Sequence, residues 1–133
     1  MTEVYLILTG LLLVIAGASN AVMDVLKFRY QDSVFSRLNN QNWWDEFSWR
    51  NKYKDRIPER GERFPGSTTI FVFVTDGWHF FQMIWRTSMT LAIIFGVFST
   101  LNFSMWLFFS IFIVSSCLYL GAFNLFYKKL LRL

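Results

Sequence analysis

Four side chains that could do chemistry recur at helical spacing within an otherwise apolar and aromatic stretch. They are Asp76, His79, Gln82 and Arg86. At about 100° per residue these side chains share one side of a predicted helix, while aromatic and aliphatic residues take the other side. A polar stripe this narrow on so apolar a helix needs a polar partner.

A second polar stripe lies earlier in the chain and can supply that partner. Asn20, Asp24 and Lys27 follow one another at helical spacing, which places them on one face of the first predicted helix. If the second helix runs back antiparallel, Asn20 and Asp24 lie level with the first stripe. The predicted polar cluster, near the cytoplasmic boundary of a membrane, therefore consists of Asn20, Asp24, Lys27, Asp76, His79, Gln82 and Arg86.

Three of these residues have the chemistry of metal ligands or of acid–base catalysts. Asp76 and His79 are close enough on a helix to reach one ion, and Asp24 could add an oxygen ligand from the facing helix. One imidazole with two carboxylates suits a divalent metal with open positions, or a pair that moves a proton. The competing interpretation is a hydrogen-bonded network that fixes helix register, with Asp76 paired to Arg86 or Lys27. A third is direct contact of Arg86 and Lys27 with lipid headgroups.

The elements that must position these side chains are predicted to be membrane helices. Hydrophobic residues make up 54% of the 133-residue chain, and sixteen Phe with six Trp are more than a soluble domain of this size can bury. A span of about 20 apolar residues crosses a hydrocarbon core of roughly 30 Å. The sequence therefore predicts an all-α integral membrane protein, a single domain over residues 1–133, with spans at residues 4–23, 83–100 and 103–127.

The first two predicted helices are longer than their spans. The helical pattern of the first continues to Leu38, and that of the second begins at Thr68. We therefore expect both to extend into the cytoplasm as a helical hairpin, closed by a polar loop at residues 39–66 that is rich in aromatic and basic side chains. A fourth span is possible if the second helix breaks near Gly77 or Arg86.

The layout of charge predicts the orientation. Nine of the thirteen Lys and Arg residues lie between Lys27 and Arg63, and three more lie after Tyr127. Three spans place both basic regions on one side, which the positive-inside bias makes cytoplasmic, with the N-terminus outside. Basic chains also bind nucleic acids, but here the basic residues flank apolar spans. We therefore expect the lipid bilayer, and no nucleic acid, as a partner.

Small residues on the predicted spans indicate close helix packing. Gly10 and Gly17 would let another backbone approach the first span. On the last span, small and weakly polar residues share one face, which favours association with a second copy or with other membrane subunits. They are Ser110, Cys117, Gly121 and Asn124.

The sequence lacks the motifs of familiar enzyme classes. It has one histidine, and no HExxH pair, nucleophile elbow or glycine-rich phosphate loop. The predicted function is that of a small polytopic membrane protein acting through assembly, as a homo-oligomer or as a subunit of a membrane complex. Two alternatives stay open. One is a membrane-embedded hydrolase that acts on a lipid headgroup with a divalent metal held by Asp24, Asp76 and His79, and the other is a proton or ion pathway along the polar stripe.

Overall fold

The fold consists of three long helices and a layer of short turns. This turn layer, at residues 29–76, connects the first long helix to the second. The computed structural model describes residues 2–100 and 105–131, and every regular element in these residues is helical. The helices are α1 (Thr2–Phe28), the short α2 (Gln41–Trp44), α3 (Gly77–Thr100) and α4 (Met105–Leu125). Short 3-10 turns lie at Tyr30–Asp32, Val34–Arg37, Ser48–Lys52, Lys54–Arg56, Pro58–Arg60 and Val72–Val74, and a π-helical turn follows α4 at Phe126–Leu130.

The central helix is α1, because it packs against both α3 and α4. It runs antiparallel to α3. Near the start of α1 the ring of Tyr5 stacks on that of Phe95, with centroids 5.9 Å apart. Near its end Leu26 lines the same cavity as His79, at the start of α3. The two helices therefore stay in contact along most of their length.

The contact between α1 and α4 is closest at Gly17. A Cβ added there would lie 2.5 Å from the carbonyl oxygen of Tyr119 and 3.1 Å from the Cβ of Ala122. Only a residue without a side chain lets the two backbones approach this closely. Gly10 is less constrained, since its added Cβ would lie 3.6 Å from Leu118 Cδ1, an ordinary contact distance.

Two of the helices are long and apolar enough to cross a membrane. They are Glu3–Phe28, with a mean hydropathy of 2.1, and Gly77–Ser99, with 1.3. The all-helical prediction is thus confirmed for the described residues. The third predicted span corresponds to α4, except that residues 103 and 104 lie outside the described part of the chain. The predicted second helix does break near Gly77, but the residues before the break form turns and not a further span, and α3 is continuous through Arg86.

The predicted cytoplasmic helical hairpin is not observed, because α1 ends at Phe28 and α3 begins only at Gly77. In the segment after α1, hydrogen bonds from serine hydroxyls to backbone carbonyls take the place of the backbone hydrogen bonds of a helix. The Ser33 hydroxyl donates to the carbonyl of Tyr30 at 2.7 Å, and the Ser36 hydroxyl donates to the carbonyl of Ser33 at 2.8 Å. Serine side chains compete with helix formation in this way, and this competition is not visible in the spacing of apolar residues.

The hydrophobic core lies in the turn layer, where the end of α1, the start of α3 and the turn after α4 meet. Its buried members are Ala21, Val22, Val25, Leu26, Tyr30, Phe35 and Leu131. Two hydrogen bonds tie the turn after α4 to this layer. The Val34 N–H donates to the carbonyl of Leu131 at 3.2 Å, and Arg29 Nε donates to the Tyr127 hydroxyl at 3.0 Å. The three long helices are therefore fixed to one another at this end.

The polar loop predicted at residues 39–66 folds back on itself. The Lys54 N–H donates to the carbonyl of Gly61 at 3.1 Å, and the Arg63 N–H donates to the carbonyl of Lys52 at 2.9 Å. The fully buried Ser67 hydroxyl donates to the same Lys52 carbonyl at 2.8 Å. Ser67 therefore closes the loop.

Glu62 fixes the turn that leads out of this loop. Its carboxylate accepts hydrogen bonds from the Thr68 hydroxyl and from the backbone N–H of Gly66, the latter at 3.1 Å. Gly66 has a φ of 81°, a left-handed conformation that favours glycine. The hydrogen bond from Thr68, followed by the one from Gly66, holds the pKa of Glu62 below its ordinary value.

The close approach at Gly17 predicts an asymmetric response to alanine. Gly17→Ala should lower the free energy of unfolding by about 1–3 kcal/mol, because its methyl group meets backbone atoms that cannot move aside. Gly10→Ala is the matched control and should leave stability unchanged or raise it by up to about 1 kcal/mol through helix propensity. Thermal unfolding of the purified variants measures both. Equal melting temperatures for the two variants would contradict the close approach.

The lowered pKa of Glu62 predicts a pH-dependent loss of stability. The ionised carboxylate stabilises the fold above the ordinary pKa of glutamate, and this contribution disappears as the pH falls through the lowered pKa of the folded state. Glu62→Gln should therefore melt below the wild type at about pH 7, and the gap should narrow at about pH 3. Glu59→Gln, at an exposed glutamate of the same loop, controls for the loss of one negative charge. A gap independent of pH would refute the argument.

Candidate functional site

Asp76 and His79 form a buried pair at the start of α3. Asp76 immediately precedes the helix and caps it, since its Oδ1 accepts the backbone N–H of His79 at 3.0 Å. Its Oδ2 lies 2.7 Å from His79 Nδ1 and 2.8 Å from the Thr75 hydroxyl, whose hydrogen is shared with the Val72 carbonyl at 2.6 Å. The Asp76 side chain is 0% exposed and that of His79 is 10% exposed. Both carboxylate oxygens are thus satisfied without water.

The pair fixes the orientation of the imidazole. A carboxylate that accepts from Nδ1 places the proton of the neutral ring on that nitrogen. The other nitrogen, Nε2, has no hydrogen-bond partner among the described residues. His79 lines a cavity of about 250 Å³ beside the turn layer. Its ring can therefore accept a proton or, when charged, donate a hydrogen bond to a group in that cavity.

Two lysines, two carboxylates and two indole rings line the cavity beside His79, which we call the His79 cavity. Besides His79 it is lined by Leu26, Lys27, Asp45, Glu46, Ser48, Trp49, Lys52 and Trp78. The Asp45 carboxylate is engaged by Arg56, which donates to both of its oxygens at 3.0 Å. The ring of Trp78 stands edge-on to that of His79, at a centroid distance of 5.0 Å. The cavity thus combines a fixed imidazole with two lysines and one carboxylate, that of Glu46, which forms no salt bridge among the described residues.

The loop holds the start of α3 in place. Asn51 is buried, and its amide donates to the carbonyls of Asn42 and Thr75. On the helix itself, a Cβ added at Gly77 would lie 2.9 Å from the Trp44 ring. The absence of a side chain at Gly77 therefore lets an indole cover the first turn of α3 and exclude water from the buried pair.

The two predicted polar stripes lie level with one another, but only part of the cluster assembles. Lys27 comes to the same cavity as His79. Asp24 is half-buried and forms no hydrogen bond or ion pair with the buried pair in the part of the chain that the structure describes. Asn20 and Gln82 are half-buried. Arg86 is exposed, and Asp76 pairs with His79 rather than with Arg86 or Lys27.

The predicted metal site is not assembled. Among the described residues, no group of three or more His, Cys, Asp or Glu side chains is placed to hold a metal ion. The physical reason is that Asp76 and His79 bind each other. The nitrogen and oxygen that a shared ion would need are 2.7 Å apart and engaged in a hydrogen bond, and Asp24 does not join them.

The predicted packing residues divide into two groups. Gly17 lies at the contact of α1 with α4, and Gly10 lies near it on the same helix. On α4, Ser110, Cys117 and Gly121 are exposed, and a Cβ added at Gly121 meets nothing within 4 Å. This face of α4 is turned away from α1. The side chain of Asn124 lies outside the described part of the structure.

Asp76 and His79 were predicted site residues, but the helix start that Asp76 caps was not predicted. The preference of Asp for the N-cap position could have located the start of α3. The contributions of Lys52, Ser48 and Asn51 could not be predicted from the sequence, because they come from the loop, where no periodic pattern links them to α3.

No family model, curated protein or solved structure matches this chain.

Removal of the Asp76 carboxylate should destabilise the protein strongly. Asp76→Ala removes the helix cap and leaves the buried Nδ1 of His79 without its acceptor, at a combined cost of about 3 kcal/mol. Asp32→Ala, at an exposed aspartate of the turn layer, should cost less than about 0.5 kcal/mol. Chemical unfolding of both variants measures the difference. Similar losses in the two variants would show that the buried pair contributes little.

Proposed function

We propose that this chain is a small polytopic membrane protein that works through assembly, as a homo-oligomer or as a subunit of a membrane complex. In this proposal α1, α3 and α4 are its three spans. The turn layer and its basic residues face the cytoplasm, and the start of α1 faces the other side. The observation that carries the proposal is the position of Arg86 on α3.

Arg86 is exposed on a helix that is otherwise apolar enough to cross a membrane. It lies nine residues after Gly77, which is about 13 Å along the helix axis. An arginine at that depth is costly in lipid and is normally paired within a bundle. The described residues supply it with no hydrogen bond or ion pair. A polar group from another chain would satisfy its guanidinium.

The apolar surface of the helices supports the membrane location. Large aliphatic side chains point outward on all three long helices, and Ile7 is 64% exposed, Ile93 62% and Ile113 61%. A soluble domain of this size would leave a large apolar area in water. In a bilayer the same side chains contact lipid tails at no cost.

The direction of the helices supports the proposed orientation. The end of α1, the start of α3 and the turn after α4 all contribute to the core of the turn layer. Three crossings of a membrane would place that layer on one side, together with most of the Lys and Arg residues. The positive-inside bias then favours the cytoplasm for the layer.

The open face of α4 offers a surface for assembly. Small residues let membrane helices approach closely, and Ser110, Cys117 and Gly121 are not covered by α1. The alternatives have less support. A metal-assisted hydrolase lacks its third ligand, because Asp24 stands apart from the buried pair. An ion pathway needs a continuous polar line, and Arg86, one member of the predicted stripe, is exposed and forms no hydrogen bond or ion pair with the other members among the described residues.

Assembly through this face predicts a response to added bulk. Wild-type protein in mild detergent should have the mass of one discrete oligomer, and oxidation in membranes should link copies through Cys117, the one cysteine of the chain. Gly121→Leu should convert the oligomer to monomer, because its side chain occupies space that a neighbouring helix would need. Light scattering coupled to size exclusion measures the mass, and non-reducing gels report the disulfide.

The control for added bulk is Val14→Leu, at an exposed position of α1, which should leave the mass unchanged. Because a Cβ at Gly121 meets nothing in the monomer, Gly121→Leu should also keep the monomer folded, in contrast to substitution at Gly17. A wild-type protein that is monomeric, elutes without a second subunit and shows no Cys117 dimer would overturn the proposal.

A further inference from the structure

We infer that the His79 cavity binds the phosphate group of a lipid headgroup. The inference rests on the membrane location proposed above, but it does not depend on assembly. Its basis is the combination of one oriented imidazole, two lysines and an aromatic wall in a cavity of about 250 Å³. Since one water molecule occupies about 30 Å³, the cavity has room for a phosphate and a few attached atoms rather than for a single ion.

Neither lysine of the cavity forms a salt bridge among the described residues; the Lys27 ammonium lies 5.1 Å from the Phe28 ring centroid, and that of Lys52 lies 5.4 Å from the Tyr53 ring centroid. Lys27 comes from the last turn of α1, and Lys52 comes from the loop. Of the acidic residues, Asp45 is neutralised by its two hydrogen bonds from Arg56. Glu46 and Lys27 are both exposed, so water screens both charges, and Lys52 is the half-buried cation of the site. Ammonium groups that line a partly enclosed site attract anions, and a phosphate offers several acceptor oxygens.

The orientation of the imidazole is fixed before a ligand binds. The hydrogen bond from Nδ1 to Asp76 sets the ring plane, and the edge-on contact with Trp78 holds it from the side. When both ring nitrogens carry protons, Nε2 can donate to a phosphate oxygen while the buried carboxylate of Asp76 balances the positive charge. The ligand therefore meets a rigid donor instead of a mobile one, which lowers the entropic cost of binding.

The location of the cavity matches the depth of a headgroup. It lies where α1 ends and α3 begins, so its position along both candidate spans is at one end. Trp49 lines it and is partly exposed, and Phe28 and Phe47, next in sequence to lining residues, are also exposed. Aromatic side chains at the end of apolar helices are typical of the interfacial layer of a membrane.

The test uses the full chain in a detergent without phosphate, with isotope-labelled histidine. Because His79 is the one histidine of the sequence, the imidazole resonances report on this site alone. Titration with short-chain phosphatidic acid should shift Nε2 saturably, while Nδ1 keeps its hydrogen bond. The matched lipid without phosphate, a short-chain diacylglycerol, should give no shift.

Variants separate a specific site from general attraction of anions. Lys27→Met and Lys52→Met, which keep most of the aliphatic stem, should each weaken phosphatidic acid binding about tenfold. Lys54→Met is the matched control, because Lys54 is an exposed lysine of the same loop that does not line the cavity, and it should bind as the wild type does. Equal weakening by all three variants would overturn the assignment.

The remaining outcomes distinguish the source of the phosphate. A shift with inorganic phosphate and none with phosphatidic acid would overturn the lipid assignment and identify a site for the free anion. No shift with either would overturn the inference altogether. A chain that stays soluble without detergent would refute the proposed membrane function instead, and glycerol phosphate would then test the cavity in plain buffer.

Discussion

The buried carboxylate of Asp76 is the constraint on which the arrangement of the turn layer depends. A charge removed from water must be surrounded by donors, and the chain supplies three: the Thr75 hydroxyl, the backbone N–H of His79 and the His79 ring. The same contacts start α3 and orient the imidazole. Water must also be kept out, which accounts for an indole from α2 packed against Gly77. Helix start, loop position and site geometry are therefore consequences of one desolvated group.

The long helices are held in a different way. Their mutual packing relies on close backbone approach at Gly17 and on ring stacking near Tyr5, while the buried core is concentrated at the end near the turn layer. Toward the other end, aliphatic side chains such as those of Ile7 and Ile93 are mostly exposed. The result is a well-packed layer from which three helices extend. This division agrees with the membrane location proposed above, in which lipid covers the helices and water contacts the turn layer.

The sequence predicted the helices better than it predicted their ends. Apolar composition located α1 and α3, and the spacing of Asp76 and His79 indicated that they act together. The prediction of helix ends failed between Phe28 and Gly77. Serine hydroxyls and a buried carboxylate determine where these helices stop and start, and the periodicity of apolar residues does not reveal such hydrogen bonds. It also placed Asp24 with the pair. Periodicity assigns a residue to a face of its own helix, but packing against a second helix decides how that face is rotated, and at Gly17 a third helix takes part.

The contact between Val34 and Leu131 has a consequence for biosynthesis. A backbone hydrogen bond and a buried leucine from the turn after α4 complete a core whose other members come mostly from the first 35 residues of the chain. During translation, Tyr30 and Phe35 emerge from the ribosome long before residue 131 is made. The turn layer therefore remains unfinished while α3 and α4 are being synthesised, and it closes only after both have been delivered to their places beside α1.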